Sequence, residues 1–283
     1  MMFEVERFAA FSSNDQGGNP AGVAICDALP DAAEMQGIAA EVGYSETVFA
    51  APSDDGWRVR YFAPEIEIPF CGHATIALGA ALAARRGDNI FQLCLNDAAI
   101  TVEGRASEFG LFAAFHSPQT WSEAADPALL DQALALFGYE LVNLDPRFPP
   151  AIIEAGARHL TLALSDRRQL AAMRYDLDQG RELMLAHRLA TISLIHAATN
   201  TLFHSRNPFA AGGVYEDPAT GAAAAAWAGY LRDLKWPHGD AIEIRQGEDM
   251  GAPCRIHAAI TPEAKASIRV SGAVRRIRAG ASR

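Results

Sequence analysis

The sequence predicts an α+β chain of two similar halves, each a curved sheet wrapped around one buried helix. Three observations lead there. Short strand-like runs recur along the chain, and they do not alternate with helices in the βαβα manner of a parallel sheet. Two helical patterns, 72–86 and 220–234, are apolar on nearly every face and therefore have to be enclosed. The approaches to these two helices also match each other, which marks an internal repeat. With 283 residues and about 150 residues per domain, length alone gives a prior near two domains.

Phe3–Phe11 reads as a strand, with aromatics and period-two patterning. A turn cluster runs from Ser12 to Pro20, and Ala21–Ile25 is the next strand. Asp31 to Val42 has helical spacing, with Asp31 as N-cap. Ser45–Ala50 and Trp57–Phe62 are β-like, and 72–86 is the first buried helix, with Arg85 and Arg86 at the end where the dipole favours cations. Ile90–Leu95, Ala99–Val102 and Gly110–Phe115 are further strands. The stretch from Ser117 to Pro127 changes character and reads as a linker, followed by a helix over Leu129–Phe137 that Gly138 ends. In the second half, His159–Leu164, Leu202–His204, Ala241–Arg245, Arg255–Ile260 and Ile268–Ser271 read as strands. Arg167–Met173, Gly180–Ala190 and the alanine-rich Thr220–Leu234 read as helices. The expected domains are 1–120 and 121–283, with the last strand free to return to the first domain.

Composition excludes several classes. Half of the residues are hydrophobic and a fifth are charged, so the chain can bury real cores without staples. The charge balance, 24 − 34 = −10, argues against nucleic-acid or anionic-membrane partners. Arg275, Arg276 and Arg278 form a basic tail too small to reverse that. Cys26, Cys71, Cys94 and Cys254 are widely spaced, with no pair at zinc-ligand spacing, so no metal is expected. The first residues carry two Glu and no apolar core, unlike a signal peptide. No apolar run reaches the ~20 residues of a membrane helix. A cytoplasmic protein with reduced thiols is expected.

The repeat sets Phe62–Thr75 against Phe209–Ala222: Phe-Ala, a loop with acids and a Pro, then a Gly opening the helix. Gly72 and Gly221 are offset by 221 − 72 = 149, and Leu82 and Leu231 keep the same offset. A helix start offers unpaired N–H groups and a positive dipole end. Two such starts brought to one cleft would bind an anion through backbone. The plainer reading of each Gly alone is a tight entry into a buried helix. The matching context of the two favours a site.

These residues resemble the PhzF-like isomerase family, which has the diaminopimelate-epimerase fold. The resemblance rests on Gly18-Asn19-Pro20-Ala21-Gly22-Val23, Tyr44-Ser45-Glu46-Thr47-Val48-Phe49, Cys71-Gly72-His73-Ala74-Thr75 and Glu216-Asp217-Pro218-Ala219-Thr220-Gly221. It implies two pseudosymmetric barrel-like domains with the site between them, a homodimer, and no cofactor. It implies Glu46 as general acid/base for a small carboxylate substrate, with His73 and Asp217 as catalytic partners. Substrate-binding positions are expected at Asn19, Gly72, Ala74, Thr75, Gly221 and Ala222. At Ala222 the family usually has Ser, so a side-chain donor is missing there.

Each residue also has a plainer reading. A base acting beside a carbonyl or conjugated acid needs a pKa raised towards neutrality, which burial supplies; Glu46 as an outward strand residue is the common alternative. His73, at the start of a helix, is expected neutral because the dipole opposes a cation, and otherwise it is a capping or packing His. Asp217 suits a turn or N-cap as well as a site, and Glu216 reads as structural or solvated. Arg60 and Arg206 are candidate contacts for a substrate carboxylate, or ion-pair residues. Cys71 at a helix start could be a nucleophile or base, although a packed thiol is the simpler reading. Its counterpart is Thr220 (220 − 71 = 149), which excludes a symmetric two-thiol epimerase. A Cys71/Thr220 pair resembles some proline-racemase-like dehydratases, and that is the rival enzyme. A binding or regulatory protein that kept the cleft and lost turnover is the alternative from another class.

Overall fold

The computed structural model describes residues 4–96, 98–108 and 110–278. Phe3, the first residue of the strand expected over Phe3–Phe11, lies outside the described residues. The chain divides into two compact units. One takes in the chain up to His116 and again from Ser271, and the other runs Ser117–Val270.

In the first unit β1 (Val5–Ala10) pairs antiparallel with β2 (Asn19–Ile25). β2 runs parallel to β3 (Thr47–Ser53), and helix α1 (Ala32–Val42), capped by Asp31, makes the crossover. β3 pairs antiparallel with β4 (Gly56–Phe62), which carries the short β5 (Glu67–Ile68). β4 runs parallel to β6 (Asn89–Cys94), with helix α2 (Gly72–Arg86) in that crossover. β7 (Ala99–Ser107) and β8 (Gly110–His116) continue antiparallel. The last strand, Arg269–Arg276, lies beside β8 and pairs back onto β1 from Phe8↔Arg276 to Ala10↔Val274. The strands therefore close into a ring.

The second unit repeats this succession. β9 (Trp121–Ala124) and β10 (Ala151–Glu154) are antiparallel. β10 pairs antiparallel with β11 (Arg158–Ala163), and β11 runs parallel to β12 (Thr191–Ala197). β12 is antiparallel to β13 (Leu202–Arg206). A separate ladder joins β14 (Pro208–Phe209) and β15 (Val214–Glu216). β13 runs parallel to β16 (Ala241–Gln246), which is antiparallel to β17 (Cys254–Ala259). Helices α3 (Pro127–Phe137), α4 (Arg167–Ala171), α5 (Leu177–Ala186) and α6 (Gly221–Asp233) complete it. Each unit thus has two parallel crossovers, and the second passes over an apolar helix. The helix caps, Cys71 and Thr220, keep the offset of the repeat, 220 − 71 = 149.

Both apolar helices are enclosed. Every residue from His73 to Ala83 of α2 is buried, and in α6 so are Gly221 and Ala223 to Arg232. Their small residues let helix and sheet backbones meet. A Cβ on Gly104 of β7 would stand 2.1 Å from the Gly79 carbonyl oxygen of α2. A Cβ on Gly229 of α6 would stand 2.6 Å from the Thr120 side chain, just before β9. Larger side chains fill the rest of the second unit, where Trp227 packs among Phe148, Phe203 and Tyr230. On the outer face of the first sheet, Met35 and Ala39 of α1 cover Ala24, Phe49 and Phe62.

Six strands fall outside the expected set; β5, β14 and β15 are only two or three residues long, and β9, β10 and β12 are the others. β9 lies in the stretch read as a linker; it is four residues long with two exposed positions, too short to show a period. β10 is also four residues long. Thr191 to Ile195 of β12 are all buried, so both faces are covered and no alternation marks the strand. β3 begins at Thr47, leaving Glu46 in the link before the strand.

The close approach of α2 to β7 is directly testable. Gly104→Ala places a methyl group against backbone, where no side chain can yield; a loss of at least ~1–3 kcal/mol is expected in urea unfolding. Gly37→Ala, in α1 where an added methyl group would meet nothing within 4 Å, is expected to gain up to ~1 kcal/mol.

Candidate active site

The β2–α1–β3 crossover delivers Glu46. α1 ends on Gly43 in the left-handed region, φ 68°, and Tyr44 and Ser45 lead to Glu46 at the mouth of β3. The Gly22 N–H donates to the Glu46 carbonyl oxygen at 3.1 Å. The start of α2 brings the partners. His73 Nε2 lies 3.2 Å from Glu46 Oε2, with the two side chains 6% and 9% exposed. On the ring's other nitrogen, Cys71 Sγ lies 3.3 Å from Nδ1. Thr75 Oγ1 donates to the Cys71 carbonyl at 2.7 Å, and Tyr61 Oη lies 2.7 Å from Thr75 Oγ1.

The electrostatics correct two expectations. Burial pushes the Glu46 carboxyl up, but the charge of His73 and hydrogen bonds with His73, Ser45 and Cys71 outweigh it, and the pKa ends below the usual carboxylate value. Burial works against a charged His73 as well. Electrostatic interaction with Cys71 and with Glu46, and hydrogen bonds with both, outweigh burial and place His73 well above an ordinary imidazole. Burial and the Glu46 charge raise the Cys71 thiol, so Glu46 is the ionised partner at neutral pH. The pair is therefore carboxylate and imidazolium, where a neutral His73 was expected. A helix dipole is worth ~0.3–1 kcal/mol at exposed ends, and a carboxylate in contact inside a buried site acts more strongly. His159 of the second unit provides the contrast. It is equally buried, its Nδ1 meets only the Thr191 hydroxyl at 2.7 Å, and burial pushes it down to about 3.

Among the described residues, Glu46, Cys71 and His73 hold an oxygen, a sulfur and a nitrogen within 4.8 Å of one another, donor types that zinc accepts. The ring, however, turns Nε2 to Glu46 and Nδ1 to Cys71. One ion would meet the ring through one nitrogen only, so the arrangement fits a hydrogen-bonded chain better than a metal centre.

The start of α6 is built differently. Thr220 Oγ1 donates to Asp217 Oδ2 at 2.5 Å. Gln246, at the end of β16, donates from Nε2 to the Asp217 carbonyl at 2.7 Å and accepts from the Thr220 N–H at 3.3 Å. Glu216 is structural: its carboxylate takes two bonds from Arg206, at 2.9 and 2.5 Å. The same guanidinium donates to the Ala171 carbonyl at 2.9 Å. Arg60 is likewise occupied, by Glu67 at 2.7 and 2.5 Å. Both arginines are thus held in ion pairs.

Of the expected residues, Glu46 and His73 therefore meet at the start of α2, where Gly72, Ala74 and Thr75 also lie. Thr75's hydroxyl is spent on Cys71 and Tyr61. Asp217, Gly221 and the half-buried Ala222 gather at the start of α6. Asn19 is buried in β2, opposite Ala10. The sequence reading does not include Gln246 or Tyr61; both reach their partners from strands distant in the chain, with no local signal.

Residues 8–279 match the family described as phenazine biosynthesis-like protein. An uncharacterized isomerase of Mesorhizobium japonicum is 33% identical, over 94% of this chain and 93% of the relative. The trans-2,3-dihydro-3-hydroxyanthranilate isomerase of Pseudomonas aeruginosa is 33% identical, over 88% and 87%. The crystal structure of a Bacillus anthracis phenazine biosynthesis protein of the PhzF family superposes with a TM-score of 0.86 at 22% identity, covering 98% of each chain. The fold is thus α+β of the diaminopimelate-epimerase type. The chain belongs to the phenazine biosynthesis-like protein family and is an isomerase of the PhzF type.

Two outcomes follow from the site. The His73 ring, followed by NMR, should titrate well above 6.5, and Glu46→Gln should carry it below 6.5, towards His159. In linkage terms the lowered Glu46 stabilises the fold above its unfolded pKa and loses that contribution as pH falls through its folded value. The raised His73 contributes fully below ~6.5 and loses its contribution as pH rises through its folded value. The pair therefore holds in the window between the two shifted values. In the second unit, Glu216→Gln should cost ~3–5 kcal/mol in unfolding experiments, because it leaves the Arg206 charge buried and unpaired.

Proposed function

We propose that this isomerase moves a proton between carbons of a small carboxylate-bearing substrate, without a cofactor, using Glu46 as acid and base. The buried Glu46–His73 pair carries this reading. Glu46 takes the proton from carbon next to a carbonyl or conjugated acid and returns it to another carbon, so nothing is gained or lost. The first-turn N–H groups of α2, which have no carbonyl partner within the helix, face developing charge as oxyanion donors do. Asp217 is assigned to the same reaction, its carboxylate ordered by Thr220. Asn19, Gly72, Ala74, Thr75, Gly221 and Ala222 are assigned to substrate binding; the Thr75 N–H and hydroxyl both donate to the Cys71 carbonyl, so Thr75 contributes by shaping the start of α2. The substrate named for the Pseudomonas relative, trans-2,3-dihydro-3-hydroxyanthranilate, is a small carboxylate of the required kind. With Ala222 in place of the family's Ser, a related acid that needs no hydroxyl donor is the better fit. A cytoplasmic homodimer accords with the four free cysteines and with the resemblance.

The contact between Cys71 and His73 favours one second reading, a thiol base. Against it, the thiol is raised, and its counterpart Thr220 is bonded to Asp217.

Turnover of small carboxylates, trans-2,3-dihydro-3-hydroxyanthranilate first, in deuterated water separates the two. Wild-type enzyme should isomerise a substrate and place solvent deuterium at one carbon. Glu46→Gln should lower the rate ~10²–10⁴-fold, while Cys71→Ser stays within ~10-fold. Full activity of Glu46→Gln with loss in Cys71→Ser would move the base to the thiol.

A further inference from the structure

We propose that Gly22 and Thr47 form a size-matched lock that positions Glu46 against His73. The proposal rests on Glu46 being the base.

Gly22 and Thr47 are partners in the parallel pairing of β2 with β3, and theirs is the first pair of that ladder. Glu46 is the residue immediately before it. The Gly22 N–H donates to the Glu46 carbonyl at 3.1 Å, so Gly22 holds both the base's own backbone and its neighbour. Backbone conformation does not require glycine here, since Gly22 has no positive φ. Space does. A Cβ at Gly22 would stand 2.6 Å from Thr47 Oγ1 and 2.9 Å from Thr47 Cγ2.

Thr47 cannot step aside. It is fully buried, and a β-branched side chain has little freedom at χ1. Relief has to come from the β2–β3 spacing at the point where Glu46 joins the strand. Among the described residues, the Thr47 hydroxyl is buried without a hydrogen-bond partner, so its contribution here is shape. The glycine and threonine of two separated segments, Gly18–Val23 and Tyr44–Phe49, thereby become one device: the absent side chain of one receives the side chain of the other. These are positioning residues, acting through Glu46. A close buried contact such as the 3.2 Å pair is sensitive to shifts of this kind, because ~1 Å of misplacement can cost ~10²-fold in rate.

The test is a double-mutant cycle with two readouts, the isomerase rate and the NMR titration of the His73 ring. Gly22→Ala should lower kcat at least ~10-fold with KM little changed, and should bring the His73 titration down as the ion pair loosens. Thr47→Ala removes the two nearest atoms and leaves only the residue's Cβ, at 3.2 Å. Within that background Gly22→Ala should cost no more than ~2-fold, and the His73 titration should return to that of Thr47→Ala alone. Should Gly22→Ala fail to fold, the comparison of Thr47→Ala with Gly22→Ala/Thr47→Ala still reads the lock. Thr47→Val, which keeps the shape, should match wild type. Equal costs of Gly22→Ala in both backgrounds, or a Thr47→Val loss as large as that of Gly22→Ala, would overturn the proposal. Because the ring titration needs no substrate, failure of the lock is distinguishable from failure of the isomerase reading.

Discussion

The first unit's chemistry depends on one constraint: a carboxylate and an imidazole buried in contact, each deciding the charge of the other. Alone, either would be driven neutral by burial, as His159 is. Together they keep both charges, because each removes the reason for the other to discharge. Much of the unit's architecture serves that contact. A parallel crossover is needed to place the residue before β3 beside the start of a helix enclosed by the same sheet. Small residues along α2 let that helix sit close enough to the strands.

The two units share a succession of strands yet use their helix starts differently. Position 73 has its counterpart at Ala222, since 222 − 73 = 149, so the second unit lacks the histidine. It does bury an ion pair in the approach to its helix, Arg206 with Glu216, 8% and 3% exposed. The distinction is chemical. A guanidinium does not release its proton in a protein, so that pair can only hold structure. An imidazole can release its proton, so the pair in the first unit can take part in proton transfer. The two units thus bury one ion pair that can titrate and one that is fixed.

What the sequence discloses follows from how local each interaction is. The enclosed helices are legible because their apolar surface runs all round, and the repeat is legible because Gly, Pro and acids recur at one offset. Glu46 is legible only through resemblance; its own residues favour an outward strand Glu. The charge of His73 is not legible, since it depends on how Cys71 and Glu46 meet the ring, and Glu46 lies 73 − 46 = 27 residues away. Arg206 is a converse case. Its partner is ten residues away, but an arginine beside a site motif reads as a substrate contact until the fold shows both ends of the fork taken. Thr191–Ala197 escapes because its buried residues leave no period to detect.

A base held ionised by its neighbour is ready to act but weaker than one raised by burial, and the lowered Glu46 pKa has to be reconciled with the proposed proton abstraction from carbon. The reconciliation lies in what the pair becomes. At rest it is neutral. In the proposed reaction, once Glu46 has taken the proton, the His73 imidazolium has lost its counter-charge, and the site carries a net positive charge in a water-poor environment. The charge that appears at the same moment is the substrate's, as an enolate-like anion. Electrostatics that oppose basicity in the resting state therefore favour the product of the transfer, because the positive charge is already in place and no solvent has to reorganise around it. Return of the proton to a second carbon restores the neutral pair. On this reading the low basicity of Glu46 and the high pKa of His73 are one property of the contact, and it acts where an isomerase has most need of it, on the anion between the two proton transfers.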